Sequence, residues 1–193
     1  MALKTINIQN HAYFVTSKVI YGIEIFRYQM PCQIMMDNLR FYEQRFKFDL
    51  FGYVIMPNHI HLIIWPRAKH TISDILRNLK EYSAKQIIAE IKNNRETLAP
   101  RPELGKNNTR AGLGSCSSQE GLNRNQILVK FQKAARNIKK QKYKLWQSRN
   151  WIENIYSQRF LQQKLDYIHN NPVRAELVKN PADYPYSSFN NYY

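Results

Sequence analysis

Residues 56–64, with the sequence MPNHIHLII, determine where this chain is expected to turn, where it extends and where its chemistry lies. The Pro57-Asn58 pair is typical of a turn, and the apolar, β-branched residues that follow are typical of a strand. Because successive side chains on a strand alternate between faces, His59 and His61 should project from the same face. The stretch therefore predicts a hairpin-like pair of strands that presents two imidazoles side by side.

Two imidazoles that converge on one point form a site for a divalent cation. An isolated H-x-H is more often an ordinary pair of strand residues, and the chain has no H-E-x-x-H zinc signature to add to it. A divalent site would need a third protein ligand, with water and substrate phosphate oxygens completing the coordination. The candidates for this ligand are Glu153, Asp166, Asn170 and Asn171.

The charge of the chain favours a polyanionic partner. Its 29 Lys and Arg residues against 14 Asp and Glu give a net charge of +15, which attracts polyanions at the cost of some self-repulsion. A ribosome-associated protein or a membrane-surface protein would be the alternatives. No basic amphipathic helix with a bulky apolar face stands out, so nucleic acid is the favoured partner.

The length and the apolar content predict one globular domain over residues 1–193. The chain has 193 residues, of which 44% are hydrophobic, and no segment approaches the roughly 18 to 20 consecutive apolar residues of a membrane helix. Residues 1–9 lack the features of a secretory signal. Cys32 and Cys116 lie far apart without a metal-binding spacing, so we expect reduced thiols and a cytoplasmic protein.

Hydrophobic periodicity predicts an α+β domain in the order β-α-β-β-α-(insertion)-β-α-α, which is an antiparallel sheet backed by helices. Thr71 and Asp74 form a capping signal for the second helix, on which Lys80 and Lys85 should be exposed. Asn171 and Pro172 resemble an N-cap and a first-turn proline that would start a separate final helix. The predicted strands are residues 11–20, 50–56, 59–65 and 143–147, and the predicted helices begin at Pro31 and after Thr71 and then cover residues 126–142, 158–170 and 173–178.

The region 93–142 is predicted to be a basic insertion or flexible loop within the domain. Residues 92–142 contain 12 Lys and Arg but only 3 Glu, and the residues up to 125 are mostly polar with few apolar anchors. The short helix at residues 126–142 would be embedded in it. The insertion is interpreted either as a nucleic-acid-binding arm or as a solvated surface excursion.

Tyr167 is a candidate nucleophile. The chain has 13 tyrosines, so any one of them is by default a packing or surface residue. On the predicted helix 158–170, however, Lys164, Tyr167 and Asn171 share one face. The ordinary pKa of a phenol is about 10, and Lys164 one turn away could favour the phenolate or hold a phosphate.

Two stretches together resemble the REP-associated tyrosine transposases of the single-tyrosine HUH superfamily, in which HUH denotes histidine, a bulky hydrophobic residue and histidine. The first is residues 52–63, GYVIMPNHIHLI, and the second is residues 167–175, YIHNNPVRA. The closing sequence DYPYSS at residues 183–188 is also similar. The resemblance covers most of residues 10–190 except the insertion.

The resemblance implies a ferredoxin-like core and cleavage of single-stranded DNA, with hairpin-forming ends as the substrate and Mg²⁺ or Mn²⁺ as the cofactor. It implies that His59 and His61 are paired metal ligands, that Tyr167 is the nucleophile that forms a 5′-phosphotyrosine, and that Asn171 completes the metal site. The protein would act as a monomer or as a homodimer. The expected DNA contacts are Lys80, Lys85, Lys164 and Arg174.

Two other functions remain open from the sequence. One is a nucleic-acid-binding module of the same fold that has lost catalysis, although the presence of both histidines and Tyr167 speaks against it. The other is a metal phosphodiesterase that uses water as its nucleophile, for which Tyr167 would be dispensable.

Overall fold

The computed structural model describes residues 11–46, 48–67, 70–93, 99–101, 123–139 and 141–192. The order of elements within them is β-α-β-β-α-α-β-α, followed by a C-terminal segment with two short 3-10 turns. The bounds are β1 Ala12–Lys18, α1 Gln29–Phe46, β2 Asp49–Met56, β3 His59–Trp65, α2 Ile72–Asn93, α3 Arg124–Ala135, β4 Trp151–Ile155 and α4 Gln158–Arg174.

The strands form one antiparallel sheet in the order β2-β3-β1-β4. With one helix between β1 and β2 and others between β3 and β4, this is the order of a ferredoxin-like fold. Pro57 and Asn58 form the predicted turn between β2 and β3, and Met56 pairs with His59 directly across it. The predicted fold class, an α+β ferredoxin-like sheet backed by helices, is confirmed.

Each face of the sheet packs against different helices. Ile60, Leu62 and Ile64 of β3 are fully buried in the larger core, which also contains the apolar stripes of α1 and α2. Ile63 points to the opposite face and joins a smaller core with α4. Because the side chains alternate, His59 and His61 lie on the same face as Ile63, which is the face that α4 covers.

Helix α2 begins as its capping signal predicts. The Asp74 backbone N–H donates to Thr71 Oγ1 at 3.1 Å, and the Thr71 N–H donates back to Asp74 Oδ2 at 3.3 Å. This reciprocal pair satisfies two backbone donors at the N-terminus of the helix, which have no partner within the helix itself.

Helix α4 is one continuous helix, so the prediction that Asn171 caps a separate final helix is wrong. The cap is Ser157, whose side chain accepts from the Phe160 N–H, and the helix continues through Pro172 to Arg174. Proline removes only one backbone hydrogen bond, and here it does so near the C-terminus of the helix. As a consequence, Asn171 lies one turn beyond Tyr167 on the same helix.

The fourth strand is not at the predicted position. Residues 143–147 make only an isolated bridge, between Trp146 and Val19, while the strand is formed by Trp151–Ile155. Trp146 is instead a core residue, 5% exposed, and its indole N–H donates to Ser83 Oγ. Large aromatic residues are common both in strands and in cores, and here Trp146 is buried in the core with its indole N–H hydrogen-bonded.

The predicted insertion is described only in part. The embedded helix is confirmed as α3, which ends at Ala135 rather than at residue 142, and its Ile127 and Phe131 are buried in the larger core. Residues 99–101 also lie against the body of the protein, because the Arg101 N–H donates to the Arg27 carbonyl. The prediction for residues 94–98 and 102–122 falls outside the described residues.

Gly52 allows α4 to approach β2 closely. A Cβ atom on Gly52 would lie 2.8 Å from Cδ2 of Leu165, a buried residue of α4. We expect Gly52→Ala to lower the free energy of unfolding by about 1 to 3 kcal/mol through overpacking, as measured by urea denaturation. In the Gly52→Ala background, Leu165→Ala should cost less than it does in the wild-type protein. Equal costs of Leu165→Ala in the two backgrounds would contradict this account of the contact.

Candidate active site

The register of the sheet places polar residues of β1 directly beside the two histidines of β3. Thr16 pairs with His61, and Lys18 pairs with His59. Residues that face each other across antiparallel strands share one side of the sheet. The α4 face therefore presents a group of four polar side chains at the end of the smaller apolar core.

The two imidazoles face each other through their Nε2 atoms, which are 3.1 Å apart. The second nitrogen of each ring is held: His59 Nδ1 lies 2.6 Å from Asn58 Oδ1, and His61 Nδ1 lies 2.8 Å from Thr16 Oγ1. An amide oxygen only accepts, so His59 Nδ1–H donates to it and Nε2 keeps its lone pair. The Thr16 hydroxyl can donate or accept, so it is compatible with either tautomer of His61.

Both histidines are neutral at physiological pH. Burial lowers the pKa of His59 to about 4, with a further contribution from the charge of Lys18. Burial also lowers the pKa of His61 to about 3, assisted by His59, Lys18 and Lys164. A neutral imidazole is the form that binds metal ions, so the surroundings keep the pair ready to act as ligands without a proton first being removed.

Tyr167 projects from α4 toward the histidine pair. Its ring packs edge-on against His61, with centroids 5.3 Å apart, and against Phe14, with centroids 5.8 Å apart. Phe14 is in turn stacked on His61 at 5.3 Å. The phenol remains 37% exposed, so its ring position is fixed by packing while solvent and a ligand can reach it.

One cleft of about 700 Å³ is lined by the candidate nucleophile and by the three residues that the resemblance implies as metal ligands. Tyr167 and Asn171 line it from α4, and His59 and His61 line it from β3. The other lining residues come from β1 and the residues just after it, the β2–β3 turn, the segment before β4 and the start of β4, and they are Thr16, Lys18, Val19, Gly22, Asn58, Gln147 and Trp151.

The four candidates for a third metal ligand have different positions in the structure. Asn171 lines the cleft, whereas the Asn170 side chain donates to the Asp166 carbonyl on the exposed side of α4. The Asp166 carboxylate accepts from Gln162, and Glu153 is paired with Lys164 at 2.6 Å. Among the described residues, no cluster of three His, Cys, Asp or Glu side chains is arranged to hold a metal. Of the four candidates from the sequence, Asn171 is the one that lines the cleft with the histidine pair.

The two cations near Tyr167 have different surroundings. Lys164 forms its ion pair with Glu153 and lies over the Phe14 ring at 4.6 Å. The Arg174 guanidinium, two turns after Tyr167, lies 5.6 Å from the centroid of the Tyr167 ring and belongs to an exposed residue. Arg174 is therefore the cation in contact with the phenol ring, and Lys164 acts on the site from the side of Phe14.

The expectation that Lys80 is exposed is wrong, while Lys85 is exposed as predicted. Lys80 Nζ donates to the Gln147 carbonyl at 2.7 Å and to Asn150 Oδ1 at 2.8 Å, so it braces the segment before β4 against α2. Burial lowers the pKa of Lys80 to about 8, with a contribution from Lys144. Lys85 pairs with Glu81 one turn away.

Sequence reasoning missed the residues that surround the pair from other elements. Thr16 and Lys18 could have been found by aligning the polar positions of β1 with those of β3 once antiparallel pairing is assumed. Gln147 and Trp151 carry no such signal, because they reach the cleft from a segment that follows the insertion. Their positions depend on tertiary packing.

The fold and the cleft define the class of this protein before any relative is considered: a ferredoxin-like α+β protein with a pair of neutral histidines on a central strand and a helix-borne tyrosine beside them. Residues 7–103 match the family of IS200-like transposases, about half of the chain. The chain therefore belongs to the IS200-like transposase family. The matched residues include His59 and His61 and end before α4.

Individual relatives agree with this membership. A Haemophilus influenzae protein described as a REP-associated tyrosine transposase is 43% identical over 56 residues, which is 28% of this chain and 32% of that protein. The match thus spans about a third of the relative's length. The structure of a REP-associated tyrosine transposase bound to a REP hairpin has the same fold, with a TM-score of 0.65, 16% identity, and coverage of 99% of this chain and 84% of that chain.

A Deinococcus radiodurans protein described as a transposase matches with a TM-score of 0.44 and 17% identity, over 88% of this chain and 95% of that chain. The resemblance to the transposases that the sequence motifs indicated is confirmed. Among the residues that the structure describes, none of the helices has the length and apolar character needed to cross a membrane.

Proposed function

We propose that this protein is a metal-dependent endonuclease and strand transferase of the transposase type, which cleaves single-stranded DNA through Tyr167. The observation that carries the proposal is the shared cleft. It is lined by His59 and His61 from β3 and by Tyr167 and Asn171 from α4, and the two pairs of residues are more than a hundred positions apart in the sequence. A phenol beside paired imidazoles is the arrangement that tyrosine attack on a phosphodiester needs.

The donor set fits a small divalent cation. Neutral imidazole nitrogens that converge on one point could both bind a single divalent ion. The two Nε2 atoms are 3.1 Å apart, and an amide oxygen from Asn171 would add the kind of oxygen ligand that Mg²⁺ and Mn²⁺ prefer. We propose that His59, His61 and Asn171 hold this ion, with the remaining positions left for water and phosphate oxygens.

Each residue has a distinct part in the proposed reaction. A bound Mg²⁺ or Mn²⁺ would polarise the scissile phosphate and offset the negative charge that develops on its oxygens. The Tyr167 oxygen attacks phosphorus and gives up its proton, and the bond from phosphorus to the 3′ oxygen of the preceding nucleotide breaks. The products are a 5′-phosphotyrosine and a free 3′-OH. Attack by another 3′-OH reverses the step and joins two DNA strands.

Arg174 and Lys164 support this chemistry from opposite sides of Tyr167. The Arg174 guanidinium lies 5.6 Å from the centroid of the Tyr167 ring, and it is exposed enough to meet a phosphate. Lys164 is ion-paired with Glu153 at 2.6 Å and lies over the Phe14 ring beside Tyr167. We propose that Arg174, Lys164 and Lys85 contact the DNA backbone, and that hairpin-forming ends are the substrate.

We propose that the protein acts as a monomer or as a homodimer. The proposed setting is the cytoplasm, where thiols remain reduced.

A covalent-adduct assay tests the proposed function. The protein would be incubated with labelled single-stranded oligonucleotides that contain REP-like or insertion-sequence-end hairpins, in the presence of Mn²⁺, and analysed on a denaturing gel. We expect a labelled protein band that a chelator abolishes. A protein that binds these oligonucleotides without forming an adduct or a cleavage product would instead be the catalytically inactive binding module.

Asn171→Ala should weaken the metal site while leaving the fold intact. Since the substitution removes one of three proposed protein ligands, we expect the Mn²⁺ concentration for half-maximal adduct formation to rise by about 10-fold or more. Asn170→Ala is the matched control, because Asn170 is the neighbouring residue on α4 and its side chain bonds only to the helix backbone among the described residues. An equal Mn²⁺ requirement in both variants would contradict the assignment of Asn171.

A further inference from the structure

An open groove runs along the free edge of β4. It has a volume of about 1980 Å³ and lies between α2 and the segment that precedes β4, and β4 itself forms part of its wall. Seven of its lining residues are Lys or Arg and two are Glu. The groove is therefore strongly electropositive, and neither the histidine pair nor Tyr167 belongs to it.

The cations of the groove differ in whether they have a carboxylate partner within the part of the chain that is described. Lys85 is paired with Glu81, and Arg77 is paired with Asp74. Lys142, Lys144 and Arg149 are not in ion pairs with any described residue; Lys144 Nζ donates to the Ser148 hydroxyl. The proximity of Lys144 also contributes to the lowered pKa of Lys80. Cations that repel one another in a groove are stabilised when an anion binds there.

Two large aromatic side chains stand exposed beside these cations. Trp151 is 64% exposed and Tyr156 is 68% exposed, and both line the groove. Exposed aromatic rings of this size provide flat surfaces on which unpaired bases stack, with about 1 to 3 kcal/mol per base. The combination of unneutralised cations and exposed aromatic rings is typical of surfaces that bind single-stranded nucleic acid.

The groove adjoins the cleft that holds the histidine pair. Gln147 and Trp151 line both cavities. Gln147 is fixed at this junction, because its backbone N–H donates to the Lys18 carbonyl and its side chain donates to the Val19 carbonyl. A strand that lies in the groove can therefore continue past Trp151 to the phenol of Tyr167.

The wall of the groove is held in place by polar contacts. Asn150 Oδ1 accepts hydrogen bonds from both Lys80 Nζ and Ser17 Oγ, at 2.8 and 2.9 Å. These bonds tie the segment before β4 to α2 and to β1. The neighbouring Arg149 is thus presented from a fixed backbone, which lowers the entropy cost of binding.

We propose that this groove binds the single-stranded DNA segment that flanks the phosphate in the cleft, with Trp151 stacking on a base at the junction and Lys142 and Arg149 contacting phosphates. The inference rests on the proposed function, since the cleft defines which strand passes through the groove. A duplex would keep its bases stacked inside and make no use of Trp151. An extended peptide could pair with the edge of β4, but the excess of cations favours a polyanion.

The first test measures how binding depends on strand length and salt. Fluorescence anisotropy would compare oligo-dT of about 4 and about 16 nucleotides, a range that covers typical single-strand site sizes. For Lys142→Gln/Arg149→Gln, we expect the affinity for the long strand to fall by about 10-fold and to fall less for the short strand. The slope of log K against log salt should become shallower by about 1.4, because two phosphate contacts are lost.

The matched control is Arg45→Gln/Lys133→Gln. It makes the same change in charge at two exposed residues that line neither cavity. We expect the control to keep the wild-type salt slope and the wild-type ratio of long-strand to short-strand affinity. If the two double variants gave equal salt slopes, the groove would not be the site.

The second test uses the fluorescence of Trp151 to report whether DNA bases stack on it. Of the three tryptophans, Trp151 is the strongly exposed one, while Trp146 is buried. We expect oligo-dT to quench the tryptophan fluorescence of the wild-type protein, and Trp151→Leu to lose most of this quenching and roughly 5- to 150-fold in affinity. Quenching that persists in Trp151→Leu, or duplex DNA that competes as well as oligo-dT, would overturn the proposal.

A failure of the groove assignment can be distinguished from a failure of the proposed function. If the wild-type protein forms no covalent adduct with any hairpin substrate, the proposed function fails whatever the groove binds. If the adduct forms but the groove variants bind long strands as tightly as the control does, only the groove assignment fails.

Discussion

Tyr167→Phe is expected to reduce covalent adduct formation and DNA cleavage by at least about 10³-fold. The substitution removes only the phenol oxygen, which is the proposed nucleophile. The ring that packs against His61 and Phe14 is retained, so the variant should fold and unfold like the wild-type protein. The measurement is the amount of labelled protein–DNA band formed per minute with a hairpin substrate and Mn²⁺.

The control for this substitution is Tyr82→Phe. Tyr82 is another exposed tyrosine, on α2, and it lines neither the cleft nor the groove. It should form the adduct at the wild-type rate. Cleavage that survives in Tyr167→Phe without a covalent band would contradict the account and would favour the phosphodiesterase that uses water.

His61→Ala is expected to have the second largest effect, with a loss of adduct formation of about 10²-fold or more that added Mn²⁺ does not restore. His61 is 4% exposed and faces His59 across 3.1 Å, so its removal leaves one imidazole for the ion. Ligands that bind the folded state raise its stability, by about 2.7 kcal/mol at a concentration 100 times the dissociation constant. Mn²⁺ should therefore raise the melting temperature of the wild-type protein but not that of the variant.

His70→Ala is the control for the thermal measurement. His70 precedes α2 and lines neither cavity, so Mn²⁺ should stabilise this variant as it stabilises the wild-type protein. A Mn²⁺-dependent rise in melting temperature that is the same in His61→Ala and in the wild type would contradict the assignment of the histidine pair.

The parts of the site that lie on strands could be predicted because a strand has a fixed alternation. The spacing of His59 and His61 alone places both rings on one face, and the Pro57-Asn58 turn sets the register of the hairpin in which they lie. Apolar periodicity likewise predicted α1 and α2, and the spacing of Thr71 and Asp74 predicted the cap of α2. These features are set by residues close together in the chain, so a single sequence is enough to predict them.

The predictions that were wrong concern residues whose positions depend on tertiary packing. Asn171-Pro172 has the local sequence of a helix start, yet α4 continues through it because its apolar residues pack on the sheet and Ser157 already provides the cap. Trp146 lies in a stretch with strand-like composition but is buried as a core residue. Lys80 follows the exposed pattern of a surface helix and instead braces a distant segment. A single sequence does not show which distant partner satisfies such residues.

These corrections make the candidate site more compact than the sequence alone suggested. Because α4 is unbroken, Asn171 is one turn from Tyr167, and both line the cleft with the histidines. The cation over the phenol ring is Arg174 rather than Lys164. The sequence motifs indicated two segments that line one cleft in the folded protein, and the folded arrangement shows which of their neighbours are in contact.

The central claim is that Tyr167 is the residue that becomes linked to DNA, and mass spectrometry of the wild-type adduct tests it most directly. The protein would be trapped on a hairpin substrate with Mn²⁺, digested with protease and nuclease, and the nucleotide-modified peptide sequenced. With 13 tyrosines in the chain, the result is discriminating. We predict a single modified peptide with the nucleotide on Tyr167; a nucleotide on any other tyrosine, such as Tyr156, would contradict the account.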